Sequence, residues 1–305
     1  MIILQLMEEN RRKILVTGAG GMLGGYLLPL LEADCGAEVV RYGREEFGAD
    51  APIGEVDTVF HLAGSEEESD ADINESLTRE LISRLDAAPP RAFIYVSSWQ
   101  VYSADAGEGV DESRGTWGST EAGKSKLAAE RLLGAWAERR GVALAIARPA
   151  RMFGNGVHGD TLRLFNRVIR GHYVHVRGND AKTSAVTALD CARALTAIAG
   201  ERGIFNISDG RAHKWISLVE AMTANAGVPR RMWHLPEKWC HAIAGLFPYL
   251  PIVKETLSEK ALQPFSQTLV LDNTRISRLL PAGFYNTAEV IARRDPKYPY
   301  NNVEF

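Results

Sequence analysis

The run Lys13–Gly18 (KILVTG), the glycine turn that follows and the helix-patterned stretch after it restrict the fold more than any other part of the chain. Ile14, Leu15 and Val16 form an unbroken apolar run, the pattern of a strand buried on both faces. In MLGGYLLPLLEA (22–33) the apolar positions recur at three and four, the period of a helix with one buried face. Between them, Thr17-Gly18-Ala19-Gly20-Gly21-Met22-Leu23-Gly24 spaces Gly18, Gly21 and Gly24 at intervals of three. In a strand–turn–helix unit the first glycine permits the tight turn and the second lets backbone approach a pyrophosphate. The third lets the helix pack on the strand. The anion then rests on free N–H groups at the positive end of the helix, here around Gly21, Met22 and Leu23. A glycine-rich turn that binds nothing is the alternative. No lysine of the nucleoside-triphosphate type follows the glycines, which disfavours that class.

The rest of the first half repeats the alternation. Strand-like EVVRYG (38–43), VDTVFHLAG (56–64), AFIYVSS (92–98) and VALAIARP (142–149) are interleaved with helix-like INESLTRELISRL (73–85) and KSKLAAERLLGAWAERR (124–140). Strands apolar on both faces and separated by helices predict an α/β fold: a Rossmann-like, doubly wound parallel sheet with right-handed crossovers. Pro29 removes one helical bond, to the carbonyl of Gly25, and predicts a bend there. After Gly154-Asn155-Gly156 the rhythm changes: a helix near 160–170, VHV (174–176), a helix near 189–199, GIFNIS (203–208), then mostly helix with proline breaks. These shifts predict a dinucleotide-binding domain of residues 11–155 with about 184–208, and a smaller, mostly helical substrate lobe of about 156–183 with 209–298.

Charge and composition remove other classes. With 305 residues, 46% hydrophobic and 24% charged, the chain is long enough and apolar enough to bury a large core. Thirty-five basic against 38 acidic residues leave a net charge of −3, too balanced for a nucleic-acid binder. Cys35, Cys191 and Cys240 are few and far apart, as expected of reduced thiols in the cytoplasm. The opening MIILQLMEENRRK has too short an apolar run for a signal peptide. Trp239–Val253, the most apolar stretch elsewhere, is too short to span a bilayer and reads as a buried or interfacial helix rather than a membrane attachment.

The GxxGxxG turn resembles that of the extended short-chain dehydrogenase/reductase family, which includes nucleotide-sugar epimerases, dehydratases and reductases. HLAG (61–64), Asn74, YVSSWQVY (95–102), SKLAAE (125–130), RPARMFGNG (148–156), VTALDCARAL (186–195) and FNISDG (205–210) match in order, and LVLDNTRISRLLPAGF (269–284) resembles a family-like ending. The resemblance implies a nicotinamide dinucleotide. An acidic residue about 20 positions past the glycines would hold the adenosine ribose, but Val39–Arg44 carries none. Arg41 and Arg44 instead suit a 2′-phosphate, which favours NADP over NAD; otherwise they line a solvated loop and pair with Glu45 or Glu46. Ala63 and Gly64 would flank the adenosine, with Asp50 as a further adenine contact.

For catalysis the resemblance implies a Ser or Thr on the substrate oxygen, a Tyr that moves the proton, and a Lys four residues later that lowers the phenol pKa and binds the nicotinamide ribose. Residues i and i+4 share one helix face, so the ammonium lies beside the phenol. Ser98 and Lys126 take the outer places, with Ser97 beside the ribose, but Ala122 stands where the tyrosine belongs. Three explanations stand: a cofactor-binding protein of regulatory or scaffolding role, a substituted proton donor (His158, Glu121, Lys124 or Tyr102), or a loss from a parent that carried tyrosine. Trp99 and Gln100, where dehydratases of the family carry an acidic pair, disfavour elimination of water. Pro149, Ala150 and Arg151 would border the carboxamide, and Phe153 replaces a family tyrosine near the substrate. Lys182 and Arg163 are weak candidate partners for a nucleotide-sugar diphosphate, each more readily read as a surface charge. Helices near 73–86 and 121–137 would pair two copies into a four-helix bundle, or pack on the sheet through Leu127, Leu132, Leu133 and Trp136.

Overall fold

Residues 12–34, 36–49, 52–65, 72–227 and 232–293 are described by a computed structural model of the chain. Cys35, Asp50 and the amino-terminal run lie outside the described residues. The first half contains β1 (Arg12–Thr17), α1 (Met22–Glu32), β2 (Ala37–Tyr42), α2 (Arg44–Gly48), β3 (Thr58–His61), α3 (Ile73–Leu85) and β4 (Ala92–Val96). A 3-10 turn (Trp99–Val101), β5 (Gly107–Val110), α4 (Glu121–Arg140), β6 (Ala143–Pro149) and β7 (Arg151–Phe153) follow. Beyond them come α5 (Gly159–Ile169), β8 (Val174–Val176), β9 (Lys182–Thr183), β10 (Ala185–Thr187), α6 (Ala188–Ala197), β11 (Gly203–Ile207) and β12 (His213–Lys214). The chain continues through α7 (Trp215–Ala226), β13 (Trp233–Leu235), α8 (Glu237–Leu246), α9 (Pro251–Leu257) and α10 (Glu259–Ser266). The last described elements are β14 (Leu269–Leu271), α11 (Thr274–Ser277) and α12 (Thr287–Ala292).

Six strands form one parallel sheet in the order β11-β6-β4-β3-β1-β2. Alternation along each strand supplies both faces. Ile14, Val16, Ile94 and Val96 enter one core with Leu23, Leu27 and Leu195 of α1 and α6, while Leu15, Phe93 and Tyr95 enter another with Leu81, Leu85, Leu133 and Trp136 of α3 and α4. This two-sided burial is why the strands read as continuous apolar runs. Leu127, Leu133 and Trp136 are thereby buried in the chain's own packing, with Leu132 packed against it. The helix α1 runs unbroken through Pro29. Helix α4 starts at Glu121, a turn before its predicted start at Lys124, because Thr120 caps it by accepting the Gly123 N–H at 2.9 Å.

A second core of Phe153, Leu164, Phe165, Trp215, Leu218, Met222 and Ile291 lies under α5, α7 and α12. The carboxyl-terminal part is less helical than predicted: β12, β13 and β14 join short sheets, β12-β9-β14-β5 and β13-β8, alongside β10-β7. Leu269, Leu271 and Ile276, late in the chain, pack into the main core.

Candidate active site

From β1 the chain passes outward to β2 and then back across to β3, so the winding reverses between β1 and β3. Doubly wound sheets open a crevice at this point, outside the carboxyl ends of the strands. Here the last register pair is Thr17 with His61. Gly18 follows with φ +69°, and a Cβ on it would lie 2.6 Å from the Ala63 nitrogen. A Cβ on Gly24 would lie 2.3 Å from the Ala19 carbonyl oxygen. Both approaches are backbone on backbone, which only glycine permits. The Gly21 N–H closes the turn on the Gly18 carbonyl at 3.0 Å, and no side chain caps α1. A cavity of about 680 Å³ opens over this end, bordered by Gly20, Gly21, Met22, Tyr26, Asn155 and His158. An uncapped positive helix end facing such a space fits a pyrophosphate.

Tyr26 and Asn155 were not singled out from the sequence. The Asn155 N–H donates to the Tyr26 hydroxyl at 2.8 Å, holding the 154–156 loop against α1. The one available signal was a hydroxylated aromatic inside an otherwise apolar helix.

Beneath the turn lies a closed chain of neutral hydrogen bonds. Thr17 Oγ1 accepts the Ala63 N–H (3.2 Å) and lies 2.7 Å from His61 Nδ1, while His61 Nε2 lies 3.1 Å from Thr78 Oγ1. The Thr78 hydroxyl donates to the Asn74 carbonyl at 2.7 Å, so it accepts from Nε2–H, and Nδ1 accepts from Thr17. This assigns His61 a neutral, Nε2-protonated ring. Burial first, and the Lys126 charge second, push its pKa from the ordinary 6.5 to about 3. Asn74 grips both the N–H and the carbonyl of Ser65, and a Cβ on Gly64 would meet Asn74 Oδ1 at 2.2 Å.

The end of β4 brings together Ser97, Ser98, Lys126 and Ala122, all buried. Ser98 Oγ accepts the Gln100 N–H at 3.3 Å, so Ser98 caps the 3-10 turn while its own proton remains to be donated. Ser97 Oγ is buried without a hydrogen-bond partner. Lys126 Nζ donates to the Val96 carbonyl at 2.9 Å and sits 5.3 Å from the Tyr95 ring centre. Ala122, one turn earlier on α4, has no exposed surface.

Arg151 lies between two tryptophans, its guanidinium carbon 4.4 Å from the Trp99 ring centre and 5.0 Å from that of Trp215. With Met22, Gln100 and His158 it borders a small cavity of about 20 Å³. Pro149 and Ala150 are buried at the end of β6, where the Ala150 N–H donates to Ile207 at 2.8 Å. Other sequence candidates lie elsewhere. Phe153 is buried in the second core, Lys182 pairs with Glu108 at 2.8 Å, and Arg163 is exposed on α5. Arg41 pairs with Glu32 at 2.7 Å, whereas Arg44 is exposed at the start of α2, just past the end of β2.

The four groups weighed for the proton differ in access. Tyr102 is buried, donating to Asn206 Oδ1 (2.7 Å) and accepting from Arg148 (2.9 Å). Glu121 and Lys124 pair with each other at 2.6 Å. His158 is exposed and borders both cavities. Among the described residues no group of three or more His, Cys, Asp or Glu could hold a metal ion.

A family model, that of the NAD-dependent epimerase/dehydratase family, matches residues 14–208, more than half of the chain. The chain belongs to the NAD-dependent epimerase/dehydratase family. No curated protein sequence matches it. Solved structures share its fold: a UDP-N-acetylglucosamine 4-epimerase from Bacillus cereus aligns at 21% identity over 92% of this chain and 94% of that one, with a TM-score of 0.68. The RMD protein from Pseudomonas aeruginosa, complexed with NADPH, aligns at 20% identity over 92% and 97%, with a TM-score of 0.70. A UDP-glucuronic acid 4-epimerase from Bacillus cereus in complex with NAD aligns at 16% over 92% and 96%, with a TM-score of 0.67. The matched segment starts at the third residue of β1, ends at the residue after β11 and reaches all six strands of the parallel sheet.

Proposed function

We propose that the protein is an NAD(P)-dependent oxidoreductase or epimerase acting on an alcohol or ketone of a nucleotide-sugar-like substrate. What supports this reading is the glycine turn at the carboxyl end of β1, with Ser98 and Lys126 buried together at the end of β4, in a chain of this family. Structural relatives bound to UDP-sugars and to NAD or NADPH support the substrate and cofactor classes. The backbone N–H groups of Met22 and Leu23 would hold the pyrophosphate; that of Gly21, expected free from the sequence, is bonded to the Gly18 carbonyl, and Gly21 leaves room for the anion instead. A nicotinamide held there would supply hydride-transfer chemistry. The Ser98 hydroxyl donates to the substrate oxygen, and the Lys126 ammonium serves the ribose. With alanine at 122 the proton passes through another group, and His158 is the one weighed that borders the cleft.

The test is turnover of NADPH or NADH with a panel of nucleotide sugars. His158→Ala is expected to lower kcat by about 10²-fold or more while leaving dinucleotide affinity unchanged. Ala122→Tyr in that background is expected to restore much of the rate. An unaltered rate in His158→Ala overturns the assignment of the proton.

Position relative to β2 leads us to propose a preference for NADP. Arg41 is held by Glu32, which leaves Arg44 to pair with a 2′-phosphate. Arg44→Ala is then expected to weaken NADPH binding by about 10- to 100-fold and NADH binding hardly at all. Equal losses for the two, measured by fluorescence titration, count against it.

A second reading is favoured by one observation. The cavity beside Trp99 and Arg151 measures about 20 Å³ against about 680 Å³ over the glycine turn, and Ala122, Ser98 and Lys126 are all buried. A protein that binds the dinucleotide through its phosphates and regulates a partner would look like this. Tight dinucleotide binding without turnover of any substrate in the panel selects that reading.

A further inference from the structure

Away from the cleft, Trp239–Val253, expected from the sequence to be a buried or interfacial helix and not a membrane attachment, is instead broken at Phe247–Leu250 into a helical hairpin whose apolar outer face no described residue covers. On their inner side α8 and α9 close a small core of Cys240, Val253, Leu257 and Leu262. On the outer side Trp239, Leu246, Phe247, Tyr249, Leu250 and Ile252 stand between 48% and 95% exposed. From Ala242 to Val253 the sequence holds no charged residue, and its one polar side-chain group is the Tyr249 hydroxyl. Scattered exposed hydrophobes are ordinary on a soluble surface, but a contiguous set this size marks an interface.

The chemistry of the hairpin indicates what it meets. Tyr249, in the turn between the helices, is 95% exposed. Pro248 and Pro251 bring no N–H to the turn, and those of Phe247 and Leu250 are bonded within it, to Ile243 at 3.0 Å and Phe247 at 3.2 Å. Among the described residues the N–H groups of Tyr249 and Ile252 keep no bond and would be met by headgroup oxygens or water at the boundary. Trp239 and Tyr249 are amphipathic rings of the kind that settle at headgroup depth. Lys238 and Lys254 stand on either side of the uncharged run, each beside an acid in sequence (Glu237 and Glu255), and make no ion pair with a described residue; Glu237 lies 3.7 Å from His241. An anionic headgroup layer would satisfy these cations.

We propose that this hairpin seats the protein on the surface of a phospholipid bilayer. The turn Leu246–Ile252 enters the boundary between headgroups and acyl chains, and Lys238 and Lys254 meet lipid phosphates. No helix among the described residues is long and apolar enough to cross a membrane, so the hairpin lies in one leaflet. The inference is independent of the reaction assigned to the cleft.

Flotation of the full chain with vesicles of phosphatidylcholine, with and without about a third of phosphatidylglycerol, tests it, because lipid charge acts on juxtamembrane cations. The chain is expected to float with both, more strongly with the anionic vesicles, and brominated lipid is expected to quench its tryptophan emission. Replacing Leu246, Tyr249 and Leu250 together by Asp is expected to cut flotation by about 10-fold or more. Those side chains are exposed, so the thermal midpoint and dinucleotide affinity should be unchanged. Lys238→Gln with Lys254→Gln is expected to remove the anionic advantage alone. Absence of flotation with either vesicle, or equal flotation of the triple variant, overturns the proposal. So does a lipid-independent dimer that the triple variant converts to monomer.

Discussion

Glu130→Ala is expected to destabilise the protein by about 3–5 kcal/mol, lowering the thermal midpoint by on the order of 10 °C. Arg148 Nε and Nη2 reach the two carboxylate oxygens of Glu130 at 2.9 and 2.6 Å, and both side chains are at most 5% exposed. Burial works against the charge on Arg148, yet the bonds to Glu130 outweigh it and hold the guanidinium pKa above its ordinary value. Truncating the carboxylate leaves a desolvated cation with no counter-charge, the costliest kind of buried defect. The loss reaches the site as well. Arg148 also fixes Tyr102, which donates to Asn206, whose amide donates to the Val110 carbonyl at 2.9 Å. Through these bonds β6, β11 and β5 are tied to the turn that carries Ser98 and Trp99. Replacing both partners, as Glu130→Leu with Arg148→Met, should recover most of the stability, because a well-packed apolar pair needs no counter-ion. A denaturant titration showing less than about 1 kcal/mol for Glu130→Ala would mean that the pair is hydrated.

Acidification should unfold the protein through His61. Its folded-state pKa of about 3 lies below the ordinary 6.5. Between those values the unfolded chain binds a proton that the native ring refuses, so the unfolded state gains as pH falls. The stability conferred by the neutral ring is complete above pH 6.5 and drains away towards pH 3, by on the order of 4–5 kcal/mol over the whole window. Geometry explains the refusal. A second ring proton on Nδ1 would face Thr17 Oγ1, which already donates towards it and accepts from Ala63. Urea midpoints measured from pH 7 to 4.5 should fall more steeply for the wild-type chain than for His61→Gln, which has no ring to titrate. Parallel curves would remove His61 as the cause. Because Thr17 and Ala63 also hold the glycine turn, dinucleotide affinity should decline in the same window.

Much of this was readable one residue at a time. Leu15 between Ile14 and Val16, and Phe93 between Ala92 and Ile94, reveal two-faced burial because a parallel sheet covered by helices leaves no polar face. Gly18 and Gly24 are legible because backbone contacts of 2.6 and 2.3 Å exclude any side chain. Helix α3 matches its predicted span of residues 73–85. The start of α4 was placed late because the capping signal sits in Ser119-Thr120-Glu121, outside the apolar period used to find the helix. The short strands β9, β12, β13 and β14 carry two or three residues each, too few to show any period.

Local pattern alone therefore determined the parallel sheet and the glycine turn between β1 and α1, since each depends on neighbours a few residues apart. Tertiary structure decided which charges are engaged and which are open. Arg41 and Lys182 are matched to Glu32 and Glu108, Arg151 is stacked between Trp99 and Trp215, and His158 is left at the cleft. The partners involved are separated by between 9 and 74 residues wherever a bond joins them, and that pairing follows from how the chain packs, which no local period encodes.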